Sequence, residues 1–340
     1  MLILMKSAHT SADRDAVVKK IQSLGFKAHV IPGENSVAIG ITGNSGPLEA
    51  SLFTMIDGVQ DAIAVTRPYK LAGKDFKAGK TEIKVGNVVF GPGRLVIIGG
   101  PCAVESEEQT LRIAHKVKAA GASILRGGAF KPRTSPYAFQ GLGLEGLKIL
   151  AKARAETGLP IITEAVDFEA LELVNEWADI IQIGARNMQN FSLLAEVGKL
   201  RKPVVIKRGM SATIDEWLQA AEYVLSQGNE QVILAERGIR SFDTQLRNMM
   251  DIAAVPLLQE LSHLPILVDP SHGTGKKGMV IPMAKAAVAA GANAVMVDVH
   301  DRPQEALCDG PQAIHPDEFA EMVKTLTRIA QALDVEVQKG

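Results

Sequence analysis

Eight short apolar segments recur along the chain from residue 94 onward, and stretches with helical periodicity separate them. The segments read LVIIGG, SILRGG, PIITEA, DIIQIG, PVVIKRG, VILAERG, PILVDPSH and NAVMVDVH. Strands that are apolar on both faces are typical of a parallel sheet covered by helices. Eight strand–helix units in residues 94–340 predict a (β/α)8 barrel. A doubly wound parallel sheet is the alternative, but eight even units without a switch point favour a closed barrel.

The first part of the chain follows a different pattern. Residues 11–24 carry aliphatic side chains at helical spacing. Short apolar strands surround this helix and a second one, which gives the order β-α-β-β-α-β of a small ferredoxin-like α+β domain. The predicted organisation is the ferredoxin-like domain in residues 1–70, a linker and hairpin in 71–93, and the barrel in 94–340.

Composition and charge narrow the range of partners. Lys and Arg number 37 against 38 Asp and Glu, and a net charge of −1 argues against a nucleic-acid partner. The sequence has no run of about 18 apolar residues, so we expect no membrane span. With 2 Cys among 340 residues the chain cannot build a disulfide framework, which predicts a cytoplasmic protein.

Polar and charged residues follow the end of every predicted barrel strand. The carboxyl ends of barrel strands meet at one mouth, where barrel enzymes carry out their chemistry. Five cations come from five of these loops: Arg126, Lys131, Arg186, Lys207 and Arg237. Pairing with a carboxylate would explain any one of them alone. Five at one mouth repel one another unless an anion offsets their charge, so the set predicts a small anionic ligand, with phosphate the best fit.

Four further residues at this mouth carry typical metal-binding groups: Cys102, His272, Asp298 and Asp309. One thiolate, one imidazole and two carboxylates suit a divalent ion such as Mn²⁺, Fe²⁺, Co²⁺ or Zn²⁺. Spacing alone leaves two alternatives open, because His300 competes with His272 and Cys308 competes with Cys102. A role as a small buried side chain also explains a Cys that follows Pro.

The motifs at the strand ends carry a resemblance to a known family. They read GGPCAVES, RGGAFKPRTSPYAFQGLG, TEA, IQIGARNMQN, KRG, ERGIRSF, ILVDPSHGTGKK and ALCDG. Together they resemble 3-deoxy-D-arabino-heptulosonate 7-phosphate (DAHP) synthase, in the subgroup with an N-terminal ferredoxin-like domain. The similarity extends from the first strand to about residue 335. One alternative is 3-deoxy-D-manno-octulosonate 8-phosphate synthase, expected to show an Asn-Arg-Ser-type sequence at Pro132–Thr134. Another is a non-catalytic effector-binding protein.

The resemblance implies a reaction and its substrates. The family condenses phosphoenolpyruvate (PEP) with D-erythrose 4-phosphate and water, giving DAHP and phosphate. This is the first step of the shikimate pathway to aromatic amino acids. The five cations of the mouth match the PEP site of the family. Arg133 and Thr134 match the positions that hold erythrose 4-phosphate.

The metal ligands implied by the resemblance are Cys102, His272 and Asp309, while Asp298 stands where the family has Glu. The two carboxylates make the coordination rich in oxygen, which favours Mn²⁺ over Zn²⁺. Neighbouring residues of an extended loop point in opposite directions, so we expect that Cys308, directly before Asp309, is not itself a ligand. Loop motion in the metal-free protein would bring Cys308 toward Cys102, and oxidation could then pair the two thiols.

The catalytic residues implied by the resemblance are Lys131, Glu164 and His272. Glu164 ends the third barrel strand and is suited to guiding the water that adds to PEP, or the proton of that water. The alternative for Glu164 is a salt bridge to Lys131 or Lys207.

Residues 1–70 are predicted to form a regulatory domain. In the subgroup that the chain resembles, this domain gates the barrel mouth in response to tyrosine or phenylalanine. His29 lies on the strand expected to face an effector pocket. The alternative is a role in folding or assembly alone. The resemblance also implies a homotetramer.

Overall fold

The computed structural model separates the chain after Lys70, into Met1–Lys70 and Leu71–Gly340. It describes residues 1–33, 37–44, 48–64, 67–77 and 79–340. Ala78, in the predicted linker, lies outside the described residues. Each of the two units has a hydrophobic core of its own.

The first unit has the order of strands and helices expected of a ferredoxin-like domain. Its elements are β1 (Leu2–Met5), α1 (Ser11–Ser23), β2 (Lys27–Pro32), β3 (Val37–Thr42), α2 (Ser51–Thr54) and β4 (Val59–Ile63). The strands lie in the order β2-β3-β1-β4 and pair antiparallel. Val17 and Ile21 of α1 are buried in the core, as the helical spacing predicts. His29 lies exposed on β2, with its Nε2 2.6 Å from Oγ1 of Thr42.

The second unit begins with a hairpin and continues as a closed barrel of parallel strands. The hairpin consists of β5 (Ile83–Val85) and β6 (Val88–Phe90), and Gly86 at its turn has a φ of 59°, in the left-handed region that favours glycine. The barrel strands are β7 (Arg94–Gly100), β8 (Ile124–Arg126), β9 (Ile161–Ala165), β10 (Ile180–Ile183), β11 (Val204–Lys207), β12 (Val232–Glu236), β13 (Ile266–Val268) and β14 (Ala294–Asp298). They pair in chain order, and β14 pairs with β7 to close the barrel.

Helices follow the barrel strands and cover them on the outside, except for one short helix, α9 (Pro270–Thr274), which carries His272 at the mouth. They are α3 (Glu107–Ala119), α4 (Leu144–Thr157), α5 (Phe168–Trp177), α6 (Phe191–Gly198), α7 (Ile214–Ser226), α8 (Ala254–Leu261), α9 (Pro270–Thr274), α10 (Lys277–Ala289) and α11 (Pro316–Ala332). Ser106 caps α3, because its side chain accepts a hydrogen bond from the Gln109 amide at 3.1 Å. A last short strand, β15 (Glu336–Val337), pairs with the start of β7.

The barrel strands are buried on both faces, because side chains fill the interior and helices cover the exterior. Every residue of β10, β11, β12 and β14 is buried. Gly99 in β7 lets Phe319 of α11 pack directly on the strand, since a Cβ at this position would lie 2.7 Å from the Phe319 ring. This contact lies beside the seam at which β7 and β14 close the barrel.

The predicted fold class is confirmed, because a (β/α)8 barrel follows a small ferredoxin-like domain. The doubly wound alternative is wrong, since an open sheet does not pair its first and last strands. Parallel strands leave all of their carboxyl ends at one face of the barrel. Cys102 therefore follows the end of β7 at the same face where Asp298 ends β14. Among the described residues, no helix has the length and apolar character needed to cross a membrane.

Candidate functional site

A cavity of about 310 Å³ opens at the carboxyl ends of the barrel strands. Most of the predicted site residues line it: Arg126, Lys131, Arg133, Thr134, Glu164, Arg186, Lys207, Arg237, His272 and Asp309. The two others, Cys102 and Asp298, are buried next to His272 and Asp309. The structure therefore brings all of the predicted site residues to one mouth.

Three of the five predicted cations have no carboxylate partner in the described part of the chain: Lys131, whose Nζ contacts Cys102 instead, Arg186 and Arg237. Arg237 is only 5% exposed and makes no ion pair. Burial lowers the pKa of Arg237, because the nearby charge of Asp269 does not fully offset the lost hydration. Arg186 lines the same cavity, also without an ion pair. A negatively charged ligand would supply the missing partner, which supports the predicted anion site.

Two other cations of the mouth are already paired inside the protein. Arg126 forms a buried ion pair with Asp298, and Lys207 Nζ lies 2.5 Å from Oδ2 of Asp269. Pairing with a carboxylate was the alternative explanation for each cation. It applies to Arg126 and Lys207, and among the described residues it fails for Lys131, Arg186 and Arg237. The mouth keeps a surplus of positive charge.

The two carboxylate oxygens of Glu164 differ in their hydrogen bonding. Its Oε2 accepts a hydrogen bond from Gln182 Nε2 at 2.9 Å, while Oε1 is buried and has no hydrogen-bond partner among the described residues. The salt bridge to Lys131 or Lys207, considered as an alternative, is not formed. Gly184 makes room for this arrangement, since a Cβ there would lie 2.0 Å from Oε1. A buried carboxylate oxygen beside the cavity is a suitable acceptor for a proton or a water molecule.

Cys102, His272, Asp298 and Asp309 form a compact group, in which one potential ligand atom from each lies within 4.8 Å of the others. Cys102 Sγ lies 3.2 Å from Oδ2 of Asp309 and 3.8 Å from Nε2 of His272. His272 Nε2 lies 3.6 Å from one oxygen of each Asp. Lys131 Nζ is 3.1 Å from Cys102 Sγ, so the anion cavity and this ligand group adjoin.

A second carboxylate orients His272 from behind. His272 Nδ1 lies 2.8 Å from Oδ2 of Asp269, which leaves Nε2 directed at the ligand group. Burial lowers the pKa of His272, but Asp269 and Asp298 outweigh burial and raise this pKa to about 10. Burial alone would raise the pKa of Asp309. The hydrogen bond and the charge of His272 outweigh burial and bring the pKa of Asp309 far below its usual range. The charged forms of His272 and Asp309 thus stabilise each other.

The alternative ligand His300 faces another part of the protein. Its Nδ1 accepts a hydrogen bond from the Arg302 amide at 2.9 Å, and its Nε2 lies 3.6 Å from Oε2 of Glu105. His300 is not among the four residues whose ligand atoms lie together. The geometry therefore favours His272 of the two histidines.

Cys308 is not among the four residues whose potential ligand atoms lie together, but the premise that its side chain points opposite to that of Asp309 is wrong. Its Sγ lies 3.6 Å from Sγ of Cys102, and Arg133 Nη1 contacts it at 2.8 Å. The reason is that Asp309 has a φ of 53°, in the left-handed region, so the loop is not extended and neighbouring side chains do not alternate. Both cysteines are free. Their pairing on oxidation stays a prediction.

Four residues of the site were missed by sequence reasoning: Asp269, Gln182, Arg247 and Gln312. Asp269 stands in the same strand-end motif as His272, and Gln182 is a polar residue inside an apolar strand, so both carried a signal. Arg247 lines the cavity, and its Nη1 lies 3.0 Å from Oε1 of Gln312. These last two stand in long loops where no periodicity indicates a role.

The fold and the site together define a class of protein: a (β/α)8 barrel whose mouth joins a cavity lined by cations to a group of potential metal ligands. A model of the DAHP synthetase I family matches residues 75–334. A model of the DAHP synthase ferredoxin-like domain matches residues 1–67. The chain therefore belongs to the DAHP synthetase I family.

Similar proteins cover either the whole chain or most of it. Phospho-2-dehydro-3-deoxyheptonate aldolase of Thermotoga maritima is 45% identical over 337 residues, which make up 99% of this chain and 100% of that protein. The crystal structure of a Thermotoga maritima DAHP synthase has a TM-score of 0.95 at 45% identity and covers 99% of both chains. The 2-dehydro-3-deoxyphosphooctonate aldolase of Geobacter sulfurreducens is 32% identical over 267 residues, 73% of this chain and 97% of that protein.

Gly184→Ala is expected to displace the Glu164 carboxylate, because the added methyl group would lie 2.0 Å from its Oε1. The catalytic rate constant should fall at least about tenfold, since a positioned acid or base contributes about 10²- to 10⁴-fold. The matched control is Gly278→Ala, where no atom lies within 4 Å of the added Cβ. Steady-state kinetics give the catalytic rate constant of both variants, and thermal melts show whether both are folded. A wild-type rate constant for Gly184→Ala would contradict the expected displacement of Glu164.

Proposed function

We propose that this chain acts as a DAHP synthase, condensing PEP with D-erythrose 4-phosphate and water to give DAHP and phosphate. One observation carries the proposal: cations without carboxylate partners and a group of potential metal ligands meet at one cavity. The Thermotoga maritima relative supports it, because it aligns along 99% of this chain. The product would enter the shikimate route to aromatic amino acids.

The octulosonate synthase reaction is the second candidate, and the relatives give it weaker support. The Geobacter relative, an octonate aldolase, matches 73% of this chain, whereas the heptonate aldolase matches 99%. The family of ferredoxin-like domains matched by residues 1–67 is also described as belonging to DAHP synthases. Pro132, Arg133 and Thr134 line the cavity in place of the Asn-Arg-Ser-type sequence expected for the octulosonate enzyme.

The cavity offers separate places for the two substrates. Arg186 and Arg237 would bind the phosphate and carboxylate of PEP, because planar guanidinium groups form paired hydrogen bonds with such anions. Arg126, Lys131 and Lys207 add positive charge deeper in the mouth. The phosphate of erythrose 4-phosphate would bind on the other side, at the two residues of the loop after β8 that the family resemblance indicates: Arg133 and Thr134.

The chemistry requires one new C–C bond, one new C–O bond and one broken C–O bond. C3 of PEP bonds to the aldehyde carbon of erythrose 4-phosphate, whose oxygen becomes a hydroxyl group. A water oxygen adds to C2 of PEP, and the C2–O bond to phosphate then breaks, releasing phosphate. One proton of this water ends on the former aldehyde oxygen and the other on the released phosphate. Glu164, with its free Oε1, would orient this water and accept its proton. Lys131 would stabilise the negative charge that develops on the aldehyde oxygen.

The donor set of Cys102, His272, Asp298 and Asp309 fits a divalent transition metal. The fit is supported by His272, because Asp269 holds its Nδ1 and directs Nε2 at the other donors. Mn²⁺ is favoured among Mn²⁺, Fe²⁺, Co²⁺ and Zn²⁺, since two of the four donors are carboxylates. When bound, the metal would supply Lewis acidity at the aldehyde oxygen.

The decisive experiment is an assay of phosphate release by purified protein supplied with PEP and Mn²⁺. Erythrose 4-phosphate should support turnover, and a five-carbon aldose phosphate should support little. Preference for the five-carbon substrate would favour the octulosonate reaction. No phosphate release with either substrate would favour a non-catalytic effector-binding protein.

Arg237→Ala should weaken PEP binding about ten- to a hundredfold, since each charge-assisted contact contributes about 1.5–3 kcal/mol. Arg133→Ala should instead raise KM for erythrose 4-phosphate, because the family resemblance assigns Arg133 to that substrate. The control is Arg328→Ala on the surface of α11, which should change neither constant. Steady-state kinetics with each substrate varied in turn give the KM for PEP and the KM for erythrose 4-phosphate of each variant. Equal effects of both variants on both substrates would contradict the proposed division of the cavity.

Removal of metal by a chelator should abolish turnover, and Mn²⁺ or a similar ion should restore it. Cys102→Ser should lose metal affinity and turnover while the far-ultraviolet circular dichroism of the barrel stays unchanged. Metal analysis of both proteins by mass spectrometry checks the loss directly. Full activity in metal-stripped protein would exclude this role for Cys102, His272, Asp298 and Asp309.

We also propose that residues 1–70 regulate the barrel in response to tyrosine or phenylalanine, within a homotetramer. The match of residues 1–67 to the ferredoxin-like domain of DAHP synthases supports a role for this unit. A truncated form of the Thermotoga maritima synthase has a TM-score of 0.75 and covers 79% of this chain, so a shortened enzyme is a practical test.

Deletion of residues 1–70 should leave DAHP synthesis in place and remove inhibition by tyrosine or phenylalanine, because the effector pocket would be lost. Initial rates with and without each amino acid compare the full chain with the shortened one. Sedimentation analysis of both proteins gives the oligomeric state. Inhibition that persists in the shortened enzyme would place the effector site in the barrel unit.

A further inference from the structure

One buried amide connects the metal-ligand group to the rim of the mouth. Gln312 follows the last barrel strand and is 2% exposed. Its Nε2 lies 2.7 Å from Oδ2 of Asp298, and its Oε1 lies 3.0 Å from Nη1 of Arg247. None of the roles given above to the site uses Gln312.

The chemistry of the two partners determines the orientation of this amide. Arg247 can only donate hydrogen bonds, and an ionised Asp298 can only accept them. The amide oxygen of Gln312 therefore faces the arginine and the amide nitrogen faces the carboxylate. Both ends of a buried polar side chain are thereby satisfied, so the arrangement is a stable one.

Asp298 depends on its neighbours for its orientation. Arg126 holds Oδ1, and Gln312 holds Oδ2. Oδ2 is also the oxygen that lies 3.6 Å from Nε2 of His272, and so faces the ligand group. Gln312 therefore acts on the oxygen that a metal would contact, and a carboxylate oxygen has two lone pairs, one for each partner.

Arg247 reaches both acids of the ligand group. Its Nη1 lies 3.4 Å from Oδ1 of Asp309, and it reaches Asp298 through the Gln312 amide. The side chain of Arg247 is partly exposed and lines the cavity. A single cation at the rim thus supports two carboxylates, Asp298 at the end of β14 and Asp309 in the loop after it.

We propose that Gln312 is a positioning residue that orients Asp298 for metal binding, with Arg247 holding the Gln312 amide in its required orientation. The inference rests on the proposed metal site. Partners of this kind orient metal ligands, and their loss weakens metal affinity about 10- to 100-fold.

A purely structural role of Gln312 would predict a different effect of its substitution on metal affinity. Gln338 is a suitable comparison, because it is 7% exposed and its Oε1 accepts a hydrogen bond from the Val89 amide at 3.2 Å, at the opposite end of the barrel. Gln338→Leu removes a buried amide of the same size far from the ligand group. If Gln312 merely filled space, the two substitutions would affect metal affinity alike.

The test is the dissociation constant for Mn²⁺, measured on the full-length protein from the electron paramagnetic resonance signal of free Mn²⁺. Gln312→Leu should raise this constant about 10- to 100-fold, and Gln338→Leu should leave it within about twofold. Arg247→Met should raise it as well, and it provides a second variant at a partly exposed position if Gln312→Leu does not fold. Thermal melts of all variants show which of them are folded.

Each result bears on the inference. Wild-type protein that binds no Mn²⁺ would overturn the proposed metal site and the inference with it. Tight binding by the wild type, together with unchanged binding by folded Gln312→Leu or Arg247→Met, would overturn the positioning role alone. Equal weakening of Mn²⁺ binding in Gln312→Leu and Gln338→Leu would also overturn the positioning role, because the loss of any buried amide would then have the same effect.

Discussion

The Asp269 carboxylate bonds to groups that serve both halves of the mouth. Its Oδ2 accepts from Lys207 Nζ at 2.5 Å and from His272 Nδ1 at 2.8 Å, and its Oδ1 accepts from the His272 amide at 3.0 Å. Asp269 is fully buried, and burial raises its pKa, but the two cations outweigh burial and bring this pKa well below its usual range. The anion cavity and the ligand group therefore share one buried charge, and neither could move without the other.

The fold could be predicted because parallel strands that are buried on both faces appear in the sequence as short, continuous apolar segments. Segments such as those at Val204–Lys207 and Val232–Glu236 are apolar throughout until a charged residue marks the carboxyl end. That same rule predicted the candidate site, since all carboxyl ends of a closed barrel meet at one mouth. Arg126, Glu164 and Lys207 were therefore identifiable from position alone, before any distance was known.

Interactions inside the loops could not be predicted in this way. The orientation of Cys308 depends on the left-handed backbone of Asp309, and no local sequence rule predicts such a conformation for an aspartate there. Gln312 and Arg247 come together from loops that are far apart in sequence, and their contact is a product of tertiary structure. Sequence patterns indicate which residues are buried and how helices and strands repeat. A single hydrogen bond between two loops changes neither the apolar pattern nor the periodicity, so the sequence does not indicate it.

The division of the cations into two groups explains how the mouth can be stable when empty and still bind an anion. Arg126 and Lys207 have internal carboxylates, which offset the desolvation of buried charge and hold the side chains in place. Arg186 and Arg237 lack such partners, so their charge is available to a ligand. Full internal pairing would leave little attraction for an anion, and no pairing would make the cations repel one another. Binding of an anion of two charges would complete the pairing that the protein leaves open, so the empty mouth is already arranged for it.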